Sequence, residues 1–321
     1  MKRQFTILAF FASLFLWFPI SGRMVQTVSS SGLESLALPI DSAIPAMPPD
    51  EVRVLSYNVF MRPEPISNAD HTLERAALIG QWIEGAEVDI VALQEAWEPG
   101  AISLLLEAVA DEFPYYASDR PVRKFGKIVS GGLLILSRWP IEEVQTVVYD
   151  SCHLADCLAA KGATHALIRI AEDAYLNLVV THLDAGSAAR DRQVRAMQIE
   201  QLRQFLEGID RQAGPLLIAG DFNIDSHAED GEYKMLTATL NIETHSPPDA
   251  STVNCELEAS IFCETPVPAK QIDYIFTTTG DGRLLPGETQ IFPHVTDAID
   301  GEVKYLSDHR AVWGTFEISL P

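Results

Sequence analysis

The stretch Leu216-Leu-Ile-Ala-Gly-Asp-Phe-Asn223 runs through four apolar residues and a glycine before it reaches an acid and an amide. A short, continuous apolar run of this kind suits a strand buried on both faces. Here the run ends on Asp221 and Asn223. The same pattern recurs along the chain. Asn58 closes Val54-Leu-Ser-Tyr-Asn58, Glu95 closes Ile90-Val-Ala-Leu-Gln-Glu95, and His182 closes Leu178-Val-Val-Thr-His182. Asp273 lies in Gln271-Ile-Asp-Tyr-Ile275, and Asp308 with His309 precedes Ala311-Val-Trp313. A polar residue at the end of one strand is ordinary. A series of endings restricted to Asn, Glu, His and Asp is not, because strand ends on one edge of a sheet converge on a common crevice.

Between these endings the apolar spacing predicts strands over 52–60, 88–93, 133–136, 144–149, 164–170, 176–180, 216–219, 272–276 and 311–316. Helices are expected over 73–83, over 102–109 behind Pro99, and over about 187–209, the last with Val194, Met197, Leu202, Phe205, Leu206 and Ile209 facing inward. Strands outnumber helices and several follow one another directly, which favours a mixed α/β (α+β) arrangement over a doubly wound parallel sheet. Residues 241–270, rich in Pro, Ser, Thr and Glu, read as a long loop of the functional sort.

The chemistry of the set is coherent. Mg²⁺ keeps several waters and is held by one or two carboxylates plus substrate phosphate, an anchorage that Glu95 and Asn58 can supply. Asp221 suits the orientation or deprotonation of an attacking water, with Asn223 positioning it. His309 can stabilise a phosphoryl oxygen or the leaving group if a carboxylate such as Asp273 fixes its tautomer. Neither a cysteine nor a Gly-x-Ser-x-Gly nucleophile is visible, so direct attack by water is favoured.

The chain has 321 residues, 47% of them hydrophobic and 21% charged, a globular composition read as one domain. Its formal charge is −22, and −24 without Lys2 and Arg3. Such a surface repels polyanions and argues against long nucleic acids as substrate, although Arg120, Arg123, Lys124 and Lys127 form one local basic cluster. Lys2 and Arg3 precede an apolar run from Phe5 to Ile20 interrupted by Pro19, too short for a spanning helix and suited to a signal peptide over 1–22. A Pro-rich linker over 23–50 is expected to lead into a catalytic domain over 51–319. Secretion or residence in a periplasm follows. The cysteines group into two local pairs, Cys152 with Cys157 and Cys255 with Cys263, with the other connectivities open.

Ser-Tyr-Asn-Val, Leu-Gln-Glu, Gly-Gly-Leu-Leu-Ile-Leu-Ser-Arg, Thr-His-Leu, Gly-Asp-Phe-Asn, Ile-Asp-Tyr-Ile and Ser-Asp-His occur between residues 52 and 317 in an order that resembles the endonuclease/exonuclease/phosphatase superfamily. The resemblance implies a four-layered α/β sandwich of the deoxyribonuclease-I-like kind, two central mixed β-sheets flanked by helices, with the site at one end. It implies that Glu95, Asn58 and Asp308 serve a Mg²⁺ site that Mn²⁺ or Co²⁺ can also fill. It further implies that Asp221 activates water, that Asn223, His182 and Lys161 contact the substrate phosphate, and that His309 paired with Asp273 stabilises its charge.

Within that superfamily the neutral sphingomyelinases are the most similar branch. The segment from Cys152 to Gly162 with Asp156 and Lys161, the Thr-His-Leu-Asp-Ala-Gly run followed by Arg192, Gln193, Arg195 and Gln198, and the export signal all resemble that group. The implied reaction is hydrolysis of sphingomyelin to phosphocholine and ceramide, with a phospholipid substrate, peripheral membrane contact and no obligate protein partner. A secreted nuclease of the same fold, a phosphodiesterase for another small phosphodiester, and a catalytically silent binding protein are the alternatives. One departure concerns the membrane. Bacterial members carry a long hairpin with exposed aromatics, whereas residues 273–308 offer only Phe292 and Tyr305, which read as core or strand residues.

Overall fold

A computed structural model of the chain describes residues 26–28, 35–37, 44–63, 70–120, 125–247, 249–255, 267–299 and 301–319. The expected signal segment 1–22 and the pairing of Cys255 with Cys263 lie outside the described residues or side chains. Two sheets form the centre. The first comprises β1 (Gln26–Val28), β2 (Ser35–Ala37), β3 (Glu51–Met61), β4 (Ile90–Ala96), β5 (Tyr115–Ser118) and β6 (Leu134–Ser137), and is completed below by two late strands. The second draws on β7 (Ile141–Val148), β8 (Gly162–Ala171), β9 (Ala174–His182), β10 (Leu216–Asp221), β11 (Ile242–Thr244) and β12 (Asp273–Thr278). Strands β13 (Leu284–Ile291) and β14 (Val312–Ile318) return to the first, whose order is β1-β2-β5-β6-β4-β3-β14-β13. The second sheet runs β11-β12-β10-β9-β8-β7.

Alternation along each strand explains the layers. In β3 and β4, Val54, Ile90 and Ala92 face the second sheet and meet Ala166, Leu178, Val180, Leu217 and Ala219. Leu55, Tyr57, Val91 and Leu93 face outward, where helices α1 (Thr72–Gly85) and α2 (Pro99–Ala108) cover them with Ala76, Ile79, Ile83 and Leu105. Val179, Ile218, Tyr274 and Phe276 do the same beneath α3 (Ala189–Glu207) and α4 (Glu232–Leu240). Helix, sheet, sheet and helix therefore stack in four layers, as the resemblance implied.

Several local readings differ. Strands β1 and β2 lie in the stretch read as a linker and extend the edge of the first sheet, since β2 pairs with β5. Helix α4, β5, β11 and β13 had no counterpart in the sequence reading. Met197 is 41% exposed, and Ile199 takes its place on the buried face of α3, because the helix turns Arg195 and Gln198 inward as well. The long loop over 241–270 contains β11 and a short pairing of Val253–Cys255 with Val267–Lys270. Cys152 and Cys157 form a disulfide.

Candidate active site

Topology alone brings the polar strand ends together. Strands β3 and β4 are parallel, as are β9 and β10, so Asn58 and Glu95 share one end of the first sheet while His182 and Asp221 share one end of the second. Strand β12 runs antiparallel to β10 and β14 antiparallel to β3, so their starts, at Asp273 and just after His309, reach that same end. His182 and Asp221 are direct partners across one ladder, and Asp221 and Asp273 across the next. Gly220 has φ +148° and would place a Cβ 2.0 Å from the Thr181 carbonyl, so only glycine lets β10 lie this close to β9 just before Asp221. Left-handed backbone at Phe60 (φ +48°), Glu95 (φ +58°) and Asn223 (φ +53°) turns the chain immediately beyond or at the strand ends.

Asn58 is the hinge of the cluster. Its Nδ2 donates to Glu95 Oε1 at 3.2 Å and to Asp221 Oδ2 at 3.1 Å, while Oδ1 accepts from the Phe60 N–H. One buried amide thus joins neighbouring strands of the first sheet through Glu95 and crosses to the second sheet through Asp221. His182 Nε2 lies 3.4 Å from Asp221 Oδ2 and 3.9 Å from Glu95 Oε1. His309 Nδ1 meets Asp273 Oδ2 at 2.8 Å, and its Nε2 stands 3.9 Å from Asp221 Oδ2. Asn223 donates through Nδ2 to the Leu183 carbonyl at 3.1 Å, and its N–H binds Asp221 Oδ1 at 2.8 Å. Lys161 is buried, and its ammonium donates to Asp156 at 2.9 Å, to Leu183 O at 2.9 Å and to His182 Nε2 at 3.1 Å. Asp308 is half-buried with Oδ1 3.5 Å from Ser307 Oγ, and its charge reaches Glu95. Glu95, His182 and Asp221 form one group, and Asp221, Asp273 and His309 a second, each with ligand atoms within 4.8 Å of one another.

The electrostatics reflect burial first and neighbouring charges second. Burial, and then the charge of Asp273, pushes Asp221 up to about 7 against the opposing pull of His309 and Lys161. Burial and the nearby Asp308 bring Glu95 to about 7 as well. Burial and the positive charges of Lys161 and His309 hold His182 well below the usual histidine range, so it is a neutral imidazole. For His309 burial acts in the same sense but is outweighed by Asp273, Asp308 and Asp221, which raise it well above that range and keep it cationic.

Other residues at this end have no role in the sequence pattern, although Gly132 and Ser307 fall within the Gly-Gly-Leu-Leu-Ile-Leu-Ser-Arg and Ser-Asp-His motifs. Trp97 lies against His182 with ring centroids 6.2 Å apart and is fixed by Nε1 donating to Ser130 O. Gly132 packs beneath it, where a Cβ would meet the indole at 2.6 Å. Ser307 Oγ donates to Asn58 O at 2.6 Å and accepts the His309 N–H, tying the ends of β3 and β14 within the first sheet. Arg75 is wholly buried and donates to the carbonyls of Asp70, Val59, Phe60 and Leu306. A sequence signal for Arg75 did exist: a charge at position 75 falls on the same helical stripe as Ile79 and Ile83.

The same fold is found in known proteins. Sphingomyelinase C 2 of Leptospira interrogans (serogroup Icterohaemorrhagiae, serovar Lai, strain 56601) is 30% identical over 291 residues, covering 82% of this chain and 46% of the relative, so the chain spans less than half of that protein. A crystal structure of beta toxin from Staphylococcus aureus superposes with a TM-score of 0.71 at 24% identity, covering 82% of this chain and 99% of the other. A mutant of the same toxin with bound magnesium ions gives a TM-score of 0.68 at 23% identity over 84% and 100% of the two chains. Residues 55–309 match the Endonuclease/Exonuclease/phosphatase family. With its layers, its strand-end cluster and that match, the chain belongs to the Endonuclease/Exonuclease/phosphatase family.

Proposed function

We propose that the chain is a secreted, Mg²⁺-dependent phosphodiesterase of the sphingomyelinase type that releases phosphocholine from sphingomyelin by attack of water. The observation that carries the reading is the pair of groups that share Asp221, a neutral histidine and a carboxylate on one side and a cationic histidine–aspartate pair on the other. Similarity to proteins named sphingomyelinase C supports the choice of substrate, and the formal charge of −22 disfavours the nuclease alternative.

The donor set fits a hard divalent cation. Burial raises both Glu95 and Asp221 to about 7, with Asp308 adding to the first and Asp273 to the second, and a cation there would offset the cost of keeping these buried carboxylates ionised. Glu95 and Asn58 would hold it, with Asp308 behind them. Bound there, Mg²⁺ supplies positive charge to a phosphoryl oxygen.

The remaining steps belong to the chain. Asp221, with His182 at 3.4 Å and His309 at 3.9 Å from its Oδ2, accepts a proton from the attacking water. Asn223 and Asn58 fix that carboxylate through one N–H bond to each of its two oxygens. His309, held as imidazolium by Asp273, stabilises developing charge on the phosphoryl oxygens and protonates the departing alkoxide. His182 approaches the phosphate as a neutral ring, while Lys161, already bonded to Asp156 and Leu183, orients that ring and adds positive potential. Among the described residues no helix is long and apolar enough to cross a membrane. Contact with the outer leaflet would be peripheral, although Tyr305 is stacked on His294 and Phe292 packs against Trp82, so neither stands out as a wedge.

Purified protein with Mg²⁺, offered sphingomyelin, lysolipid and plasmid DNA in parallel, tests the proposal. Phosphocholine release from sphingomyelin is the expected result. Cleavage of DNA alone, with a steep salt dependence, would overturn it.

A further inference from the structure

The first sheet is only partly covered on its outer face. Helices α1 and α2 lie over β3, β4 and β6, and beside α1 the outer face of β13 and β14 is left open as a cleft of about 480 Å³. That volume falls within the range of small-ligand sites. Three half-buried aromatics line it: Trp82 from the last turn of α1, Phe292 just beyond β13, and Trp313 from β14. Trp82 and Phe292 meet edge to face, with centroids 5.5 Å apart and planes at 89°, so the two rings form adjoining walls and not one flat stack. Gln81, Gln290 and the carboxylate of Glu87 complete the polar part of the lining, and among the described residues no Lys or Arg lines it.

Glu87 decides the charge of the ligand. Its side chain is 92% exposed and lies 3.9 Å from Arg53, whose guanidinium is engaged instead by Asp89 through two bonds of 3.1 Å. The carboxylate is therefore left with only a loose cationic neighbour, beside ring systems whose faces carry negative quadrupole charge. Glu87 is hydrated whatever the ligand, but its negative potential at the rim favours a cation over a neutral apolar group among the rings. An organic cation whose charge is wrapped in methyl groups satisfies both. We propose that this cleft is a binding site for a quaternary ammonium group, separate from the strand-end site and independent of the activity assigned to it. It lies on the opposite side of the sheet from the cluster around Asp221, behind Leu55 and Val91.

The indole N–H resonances of the ¹⁵N-labelled protein test the site and its location together, because Trp82 and Trp313 report on the cleft while Trp97 reports on the strand-end site beside His182. Titration with choline chloride should shift Trp82 and Trp313 saturably in the millimolar range. The neutral carbon isostere, in which the ammonium nitrogen is replaced by carbon, should bind several-fold more weakly. Glu87→Lys, at a side chain already in solvent, should weaken choline several-fold and leave the isostere unchanged. Equal shifts from choline and its isostere, an unaltered titration in Glu87→Lys, or shifts confined to Trp97 would each overturn the assignment. Failure on any of these counts leaves the phosphocholine assay unaffected, so the two proposals fail separately.

Discussion

Replacing Arg75 with Met tests whether one buried cation holds the strand ends in place. Its guanidinium donates to Asp70 O, Leu306 O and Phe60 O at 2.6 Å and to Val59 O at 3.1 Å, so it joins the start of α1, the bulge after Asn58 and the segment leading into Asp308 and His309. Burial lowers its pKa to about 10, which leaves it charged at neutral pH. Hydrogen bonds to charged groups are worth roughly 1.5–3 kcal/mol each, or about 6–12 kcal/mol for four. Removing the guanidinium also removes its desolvation penalty of several kcal/mol, so the net loss should be about 3–5 kcal/mol. A domain of ordinary stability survives that loss, with the melting temperature lowered by about 6–20 °C. Because the freed carbonyls flank Asn58 and His309, kcat should fall about 100-fold at a temperature where the variant is fully folded. Arg75→Lys should recover part of the melting temperature and little of kcat, since three ammonium donors on a point charge cannot serve four spread acceptors. The measurements are a calorimetric melt and phosphocholine release. A melt within 2 °C of the parent protein, or an unchanged kcat, would refute the clamp.

Asp221→Asn should keep its contact with Asn58 or Asn223 and retain the circular dichroism spectrum, yet lower turnover about 10²–10⁴-fold; near-normal turnover in the folded variant would remove it as the base. Chelation should abolish activity and Mg²⁺ restore it, with Mn²⁺ or Co²⁺ as partial substitutes, and Mg²⁺ alone should raise the melting temperature by neutralising the crowded acids; full activity in excess chelator would contradict the metal assignment. Asp119 is buried, and burial raises its pKa from 3.8 to about 6. Its folded-state pKa is the higher one, so its stabilising contribution is complete below about pH 4 and is lost as pH rises through about 6. At 1.36 kcal/mol per unit this amounts to about 3 kcal/mol. Urea unfolding should therefore show Asp119→Asn gaining stability relative to the parent between pH 4 and 7. Parallel curves would exclude that role.

The parts of the fold visible in the sequence are those buried on both faces. Strands β3, β4, β9 and β10 present continuous apolar runs because each sheet is sandwiched, and their polar ends stand out by contrast. Edge elements carry no such signal. Strand β13 contains Pro286 and Gly287 and a register irregularity, and most of its residues are exposed. Helix α4 buries only Glu232, Leu236 and Leu240, too few for its period to emerge. In α3 the apolar pattern was misleading for a reason tied to the site. Arg195 faces inward to bind Glu232 and the carbonyls of Asp184 and Gly186, and Gln198 does so to bind the Asp184 N–H and Ser151 O. These polar side chains support the turn after His182 and so occupy places that hydrophobicity would assign elsewhere. Trp97 follows Glu95 by two positions, but nothing in the chain order shows that its ring reaches His182.

His182, Asp221 and Asp273 occupy facing rungs of neighbouring strands, and this fixes what can vary in the protein. Backbone ladders slide only by whole residues, about 3.3 Å at a time, and a slip of one rung turns each side chain to the opposite face. The spacing of these charges is therefore quantised by the sheet and insensitive to small drifts in sequence elsewhere. Adaptation to a new substrate has to be written in the turns around the rungs, which can change length and composition while the charges beneath them stay in register.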